Sequence, residues 1–374
     1  MTLNLEAATA AVAAVAREHA NAVDRTGSFP TATVDAARKA SLLGLISKPA
    51  VGGHGRTLRD AGAFIERVAR ECGSSAMVLT MHYCGTAVIE AYGPAPVQKD
   101  IAAGKHVSTL AFSEAGSRSH FWAPTSTATA HGANVRLDAH KSWVTSAREA
   151  TAYVWSSKPT AGDQPSTLWL VPRDAKGLAV QGAFDGIGLR GNDSAPVVAT
   201  GVDVPAANRL GADGQGFEIM MQTVLPTFAM LIAGGALGLA EGLVQKTAEH
   251  AAGTTYAHLA SANALRDLPT IRAYVARMRI QVDMAKALWQ EAFAAIEQGR
   301  ADAPLKVLES KAAAADSASQ VADLAMRVCG GMAFRKEVGI ERLFRDTRAA
   351  MVMAPTSDQL YDFIGKALTG LPLF

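Results

Sequence analysis

Four residues in the middle of the chain, Phe112, Ser113, Trp143 and Thr145, carry side chains that together suit a planar redox cofactor. A flavin needs donors to its pyrimidine edge, a hydroxyl near its reactive ring and an aromatic wall that excludes water, and this set offers all three. Taken singly, Trp143 reads as β-domain core and Thr145 as an edge-strand residue. Gly330-Gly331 would let backbone approach a bound group closely, since no Cβ intervenes, or would cap a helix. Two histidines, His82 and His120, are candidates for proton transfer because imidazole titrates near neutrality, although a lone histidine is more often a packed or surface residue. His120 belongs to an unusual Ser-His-Phe-Trp run, Ser119 to Trp122, suited either to an aromatic wall around a substrate or to a loop plug.

The elements that must position these groups follow from periodicity. At 374 residues the chain should divide into two or three packed units. From Leu5 to about Ala103 apolar residues recur at three and four, as in Val34, Ala37 and Leu42, which predicts an all-helical domain over 1–106. Between Val107 and Leu210 the texture turns alternating and β-branched, in Thr125 to Ala130, Val135 to Leu137, Ser142 to Thr145, Tyr153 to Ser156, Thr167 to Val171 and Pro196 to Val202. That predicts a compact β domain over 107–212. Long helical segments then return, notably Ile271 to Ala295 and Leu305 to Val328, as a bundle over 213–374. Helices, then strands, then helices give an α+β class and disfavour a parallel α/β fold.

Composition narrows the partners. Lys plus Arg number 36 against 34 Asp plus Glu, which provides no field to gather nucleic acid or an anionic membrane and favours a small molecule. Three cysteines without a CxxC pair, and no histidine cluster at metal spacing, predict reduced thiols in a cytoplasmic protein without a metal. The alanine-rich N-terminus carries Glu6, Arg17 and Glu18 and reads as a helix, not a signal peptide. The apolar run Phe228 to Val244 contains four glycines and Glu241. It falls short of the ~20 residues of a membrane span and reads as a buried helix at a bundle or subunit interface.

Several segments, in order, resemble the acyl-CoA dehydrogenases over nearly the whole chain. The family's Gly-Lys-x-Trp-Ile-Thr appears as His140-Lys141-Ser142-Trp143-Val144-Thr145, and its Thr-Glu-Pro-Gly-Ala-Gly-Ser-Asp as Ser113 to His120. Lys48 to Gly55, Met81-His82-Tyr83, Gly188-Leu189-Arg190-Gly191 and Gly214-Gln215-Gly216-Phe217 resemble further family segments, as do Gly330-Gly331 and Arg345-Asp346. The resemblance implies a helical N-terminal domain, a middle β barrel or sandwich and a C-terminal four-helix bundle. It implies FAD between the last two, touched by Phe112, Ser113, Trp143, Thr145, Gly330, Gly331, Thr356 and Asp358, with part of the site from a second subunit of a homotetramer. Ser119 falls where family members hydrogen-bond a thioester chain, and His82 on the helix that lines the cavity beneath the flavin.

The departures are as informative. Where the family has Glu-Gly-Thr, whose carboxylate removes the proton α to a thioester, this chain has Ala354-Pro355-Thr356. The alternative base position of some members falls at Phe228, followed by Ala229 in place of arginine. The family's Arg-x-x-Phe-Gly aligns near His258 to Ala262 without its arginine, and Arg327 stands where glutamine usually precedes Gly-Gly, a candidate for the missing charge on the pyrophosphate. FMN or a loosely held reduced flavin is an alternative cofactor. Three functions follow: a flavin oxidoreductase on an acyl thioester or related CH–CH substrate, its base moved to His82, His120, a group carried by the substrate itself or, less favourably, Asp358, handing electrons to an electron-transfer flavoprotein; a monooxygenase fed by a flavin reductase and acting on a small molecule that is not a CoA ester; or an inactive scaffold subunit.

Overall fold

The computed structural model describes residues 3–117, 120–256 and 264–373. Five helices come first: α1 (Leu5–Thr26), α2 (Thr31–Lys39), α3 (Leu58–Ala69), α4 (Gly73–Tyr92) and α5 (Ala95–Ala102). Local chemistry sets their ends. The Asn4 side chain accepts from the Ala7 amide and Gly27 closes α1 at φ 65°, while Thr57 and Asp60 cap α3 reciprocally. Helix α4 is buried on nearly every side, so its sequence is apolar all round instead of striped.

The strands β1 (Ser108–Ala111), β2 (Thr127–His131), β3 (Asn134–Val144), β4 (Ala152–Ser157), β5 (Thr167–Pro172), β6 (Leu178–Val180), β7 (Ala195–Pro205) and β8 (Arg209–Leu210) form two four-stranded sheets, ordered β1-β4-β5-β8 and β2-β3-β7-β6. Only β1 and β4 run parallel among these pairs. Between the sheets lies a separate core built on Tyr153, Trp155, Trp169, Val135 and Leu137. The stretches around Val135 and Ser142 belong to one strand, β3, whose register against β7 shifts twice, between Leu137 and Ala139 and between Lys141 and Val144.

The remaining helices are α6 (Gly216–Ile219), α7 (Leu225–Gly253), α8 (Pro269–Glu297), α9 (Ala303–Cys329), α10 (Ile340–Thr347), α11 (Ala349–Val352) and α12 (Ser357–Thr369). A π-turn over Met220–Val224 joins α6 to α7 just before Pro226, which has no N–H to give to the ladder. By length and hydropathy the run Gly216–Gly253 would cross a membrane, yet 72% of its most apolar window is buried within the protein. Its glycines serve packing inside the chain. A Cβ on Gly238 would lie 2.1 Å from the Glu66 carbonyl oxygen and one on Gly242 2.5 Å from that of Arg70, so α3 and α7 touch backbone to backbone. All three cysteines are buried and unpaired.

Candidate active site

A cavity of about 960 Å³ opens where the β sandwich meets α4, α7 and the α10–α11 turn. That is at the upper end of the ~300–1,000 Å³ of ordinary ligand sites. Its polar edge comes from the sandwich. The shift in β3 bulges Ser142-Trp143 out of the ladder, Trp143 adopts φ 51°, and its indole is left 68% exposed on the cavity wall. Phe184 packs edge-on against that ring at 6.1 Å. The Ser142 amide donates to the Ser113 carbonyl at 2.8 Å, tying the two wall segments together. Thr145 shares a 3.2 Å hydrogen bond with Ser194, and its own carbonyl accepts from Thr109 at 2.8 Å, which fixes both hydroxyls. The opposite wall is apolar: Met77 and Met81 from α4, and Val224, Leu225 and Phe228 where the π-turn runs into α7.

A buried ion pair supports the sandwich side. Lys141 Nζ lies 2.5 Å from Glu114 and also donates to the Ser156 carbonyl at 2.7 Å. Glu114 in turn accepts from the amides of Thr125, at 2.6 Å, and Ser126, at 3.0 Å, which closes the loop ahead of β2. Burial pushes the Glu114 carboxyl up, but Lys141 and these donors more than offset it and hold the group below its ordinary range. Although Glu114 lines the cavity, both oxygens are committed.

The outer wall, from Phe184 to Ser194, is gripped from both helical domains. Leu189 donates its amide to Asp346 at 2.7 Å and Gly191 to the Ser74 hydroxyl at 3.1 Å. Arg190 donates to the Asp24 carbonyl at 3.0 Å. Arg345 pairs with Asp24 at 2.6 Å and donates to the Ile187 carbonyl at 2.9 Å.

The structure thus places Phe112, Ser113, Trp143 and Thr145 on one wall, with Ala354 and Phe228 in the same chamber. Both positions at which the resemblance puts a base therefore face the cavity as apolar side chains. The other candidates are not in the wall. His82 is fully buried on α4 and is not in the cavity wall, with Nε2 2.9 Å from the Leu43 carbonyl and Nδ1 accepting from the Ser108 amide at 3.1 Å. Neither nitrogen is left for a substrate, so His82 is corrected to a packed, neutral imidazole; its neighbour Met81 takes the wall position. His120 is exposed and stands edge-on to Trp122 at 5.1 Å, outside the chamber. From that run Phe121 reaches the cavity, nearly parallel to Phe112 at 6.4 Å. Ser119 and the 258–262 segment lie outside the described residues.

Arg327, at the end of α9, donates to the Tyr274 hydroxyl at 2.7 Å and stacks on that ring, and is not in the cavity wall of its own chain. Gly330 and Gly331 are exposed beyond it, and neither belongs to the wall. Thr356 caps α12 by accepting from the Gln359 amide at 3.3 Å, and Asp358 is exposed on the first turn, so neither reaches the chamber within one chain. Wall residues that the sequence did not single out include Asn192, Ser194 and Arg348, while Arg345 was marked only as half of the Arg-Asp pair. The Arg-Asp pair marked the place of one, but nothing local signals that a β-domain loop folds onto it.

The buried histidines make a prediction about acid. Burial lowers both His82 and His106 from the ordinary 6.5 to about 4. The unfolded chain takes up these protons below about pH 6.5 while the native protein does not. The stability they contribute is therefore present above that pH and lost as pH falls toward 4, by up to about 3 kcal/mol each. Asp346, raised by burial to about 6, works the opposite way and offsets part of the loss. The urea midpoint should fall between about pH 7 and pH 5, and fall less in His106→Gln; a flat profile would refute the assignment.

Sequence profiles of the acyl-CoA dehydrogenase N-terminal, middle and C-terminal domains match residues 3–103, 109–202 and 214–369. The bovine mitochondrial short-chain specific acyl-CoA dehydrogenase is 28% identical over 90% of this chain and 82% of its own. The solved structure of butyryl-CoA dehydrogenase from Megasphaera elsdenii superposes with a TM-score of 0.90 at 19% identity, covering 98% of both chains. That of PigA with FAD and proline gives 0.87 at 18% identity, over 98% of this chain and 96% of the other. With all three domains matched in order around one cavity, the chain belongs to the acyl-CoA dehydrogenase superfamily of flavoprotein oxidoreductases.

Proposed function

We propose that the protein binds FAD along the Trp143–Thr145 edge and oxidises an acyl thioester or related small molecule seated between Met81, Phe228 and Ala354. The observation that carries this reading is the bulged Trp143 ring, bare on the wall beside the fixed hydroxyls of Thr145 and Ser194, facing the apolar wall of Met77, Met81 and Phe228. An exposed indole is a platform that a planar group would cover. The donor set fits a flavin: Ser113, Thr145, Ser194 and Asn192 for its polar edge, Phe112 and Trp143 for its rings. When bound, FAD would supply two-electron oxidation. The chain's own part is to exclude water with Met77, Met81 and Phe228 and to orient the ligand against the sandwich.

The absence of an uncommitted carboxylate among the described wall residues favours a second reading, oxygen transfer by a reduced flavin that a separate reductase supplies. Anaerobic titration of the FAD-loaded protein with a panel of acyl-CoAs tests the first. Bleaching of the flavin band is the expected result, with an electron-transfer flavoprotein then able to reoxidise the protein. No bleaching with any thioester, together with substrate-dependent oxygen uptake in the presence of a flavin reductase, would select the second.

A further inference from the structure

The wall at Ala354 is backed by a buried cation. Lys311 on α9 has no exposed surface. Its Nζ donates to the carbonyls of Met353, at 3.0 Å, and Pro355, at 2.6 Å, the two residues that flank Ala354. Both acceptors are neutral, and among the described residues no carboxylate pairs with this ammonium. Burial lowers its pKa to about 7, so the group gains its charge as pH falls through neutrality.

Other charges that reach the chamber are compensated. Glu114 is matched by Lys141, Arg345 by Asp24 and Glu341, and Arg348 by Asp323. Lys311 is the described cation beside the cavity without such a partner. A buried charge held only by neutral dipoles is costly until a counter-charge arrives, and a dry wall transmits its field into the cavity with little screening.

We propose that the ligand group seated against Ala354 is acidic and binds ionised, as a carboxylate, phenolate or enolate, with Lys311 as its counter-charge. The inference rests on the reading of this cavity as the substrate chamber, and it names the substrate class. The molecule brings a negative charge to the place where the chain offers a methyl group. Its proton passes to solvent on binding, no bond to the protein forms, and the group is electron-rich before oxidation begins. A side-chain base at 354 or 228 is then unnecessary.

The test is a difference-absorption titration of the FAD-loaded protein with 4-nitrophenol, whose ionised and neutral forms absorb differently, and with its neutral ether 4-nitroanisole. The phenolate should bind up to roughly a hundredfold more tightly than the ether, the factor that Coulomb's law gives for unit charges about 6 Å apart at an effective dielectric of about 20. Lys311→Met should abolish the preference and leave the affinity for the ether unchanged. Ala354→Glu, which sets a carboxylate beside Lys311, should abolish it as well, and covers the case in which Lys311→Met does not fold. Equal affinities for the two probes in the parent protein, including no binding of either, or a preference that survives in a folded variant, would overturn the proposal. No turnover is read, so a negative acyl-CoA titration and a negative result here are told apart.

Discussion

Flavin bleaching by acyl-CoA in an Ala354→Glu protein is expected to run roughly 10²- to 10⁴-fold faster than in the parent, the contribution of a positioned general base. Ala354 already faces the chamber that holds Trp143 and Phe228, so a longer side chain at this position projects into it. Lys311, hydrogen-bonded to the carbonyls on either side, would favour the ionised form of the new carboxylate, which is the form that removes a proton. Anaerobic stopped-flow mixing of parent and variant with one acyl-CoA panel provides the measurement. If the variant holds FAD as the parent does and no thioester bleaches it faster, the chamber is not arranged for removal of an α proton.

Removing Lys141 should cost more stability than any other single change at the site, about 3–5 kcal/mol, because it strands the Glu114 carboxylate in the interior. Side-chain exposure is 0% for Lys141 and 2% for Glu114, so water cannot replace the lost partner. Lys141→Met should therefore lower the denaturation midpoint sharply and loosen the wall, since Glu114 holds the loop ahead of β2 through Thr125 and Ser126. Replacing both members, Glu114→Gln with Lys141→Met, should recover much of the loss. A Lys141→Met protein as stable as the parent, or a double variant no better than the single, would show that the pair carries no such burden.

Much of this architecture was legible in the residues. The change from helical to alternating texture near Val107 and back near Phe217 follows which faces must be buried, a property each segment declares locally. The Trp143-x-Thr145 pattern led to the cavity wall because the bulge that presents it is local to β3. Short strands escaped notice for the opposite reason: β1, β6 and β8 have two to four residues each and owe their pairing to β4, β7 and β5. His82 misled because its neutrality is imposed by the Leu43 carbonyl and the Ser108 amide, both distant in sequence. Lys311 was invisible for the same reason, since in sequence it is one more polar residue on a long helix.

The grip on the outer wall has a further meaning. Between Ile187 and Gly191, one β-domain segment is bonded to Asp24 through Arg190, to Ser74 and to Asp346, while Arg345 bridges Asp24 and Ile187. The contacts that shape the chamber are therefore also the fasteners among the three domains. Cooperativity and ligand binding share the same few bonds: a molecule filling the chamber clamps the domains together, and any loosening between domains is felt first as a change in the shape of the chamber.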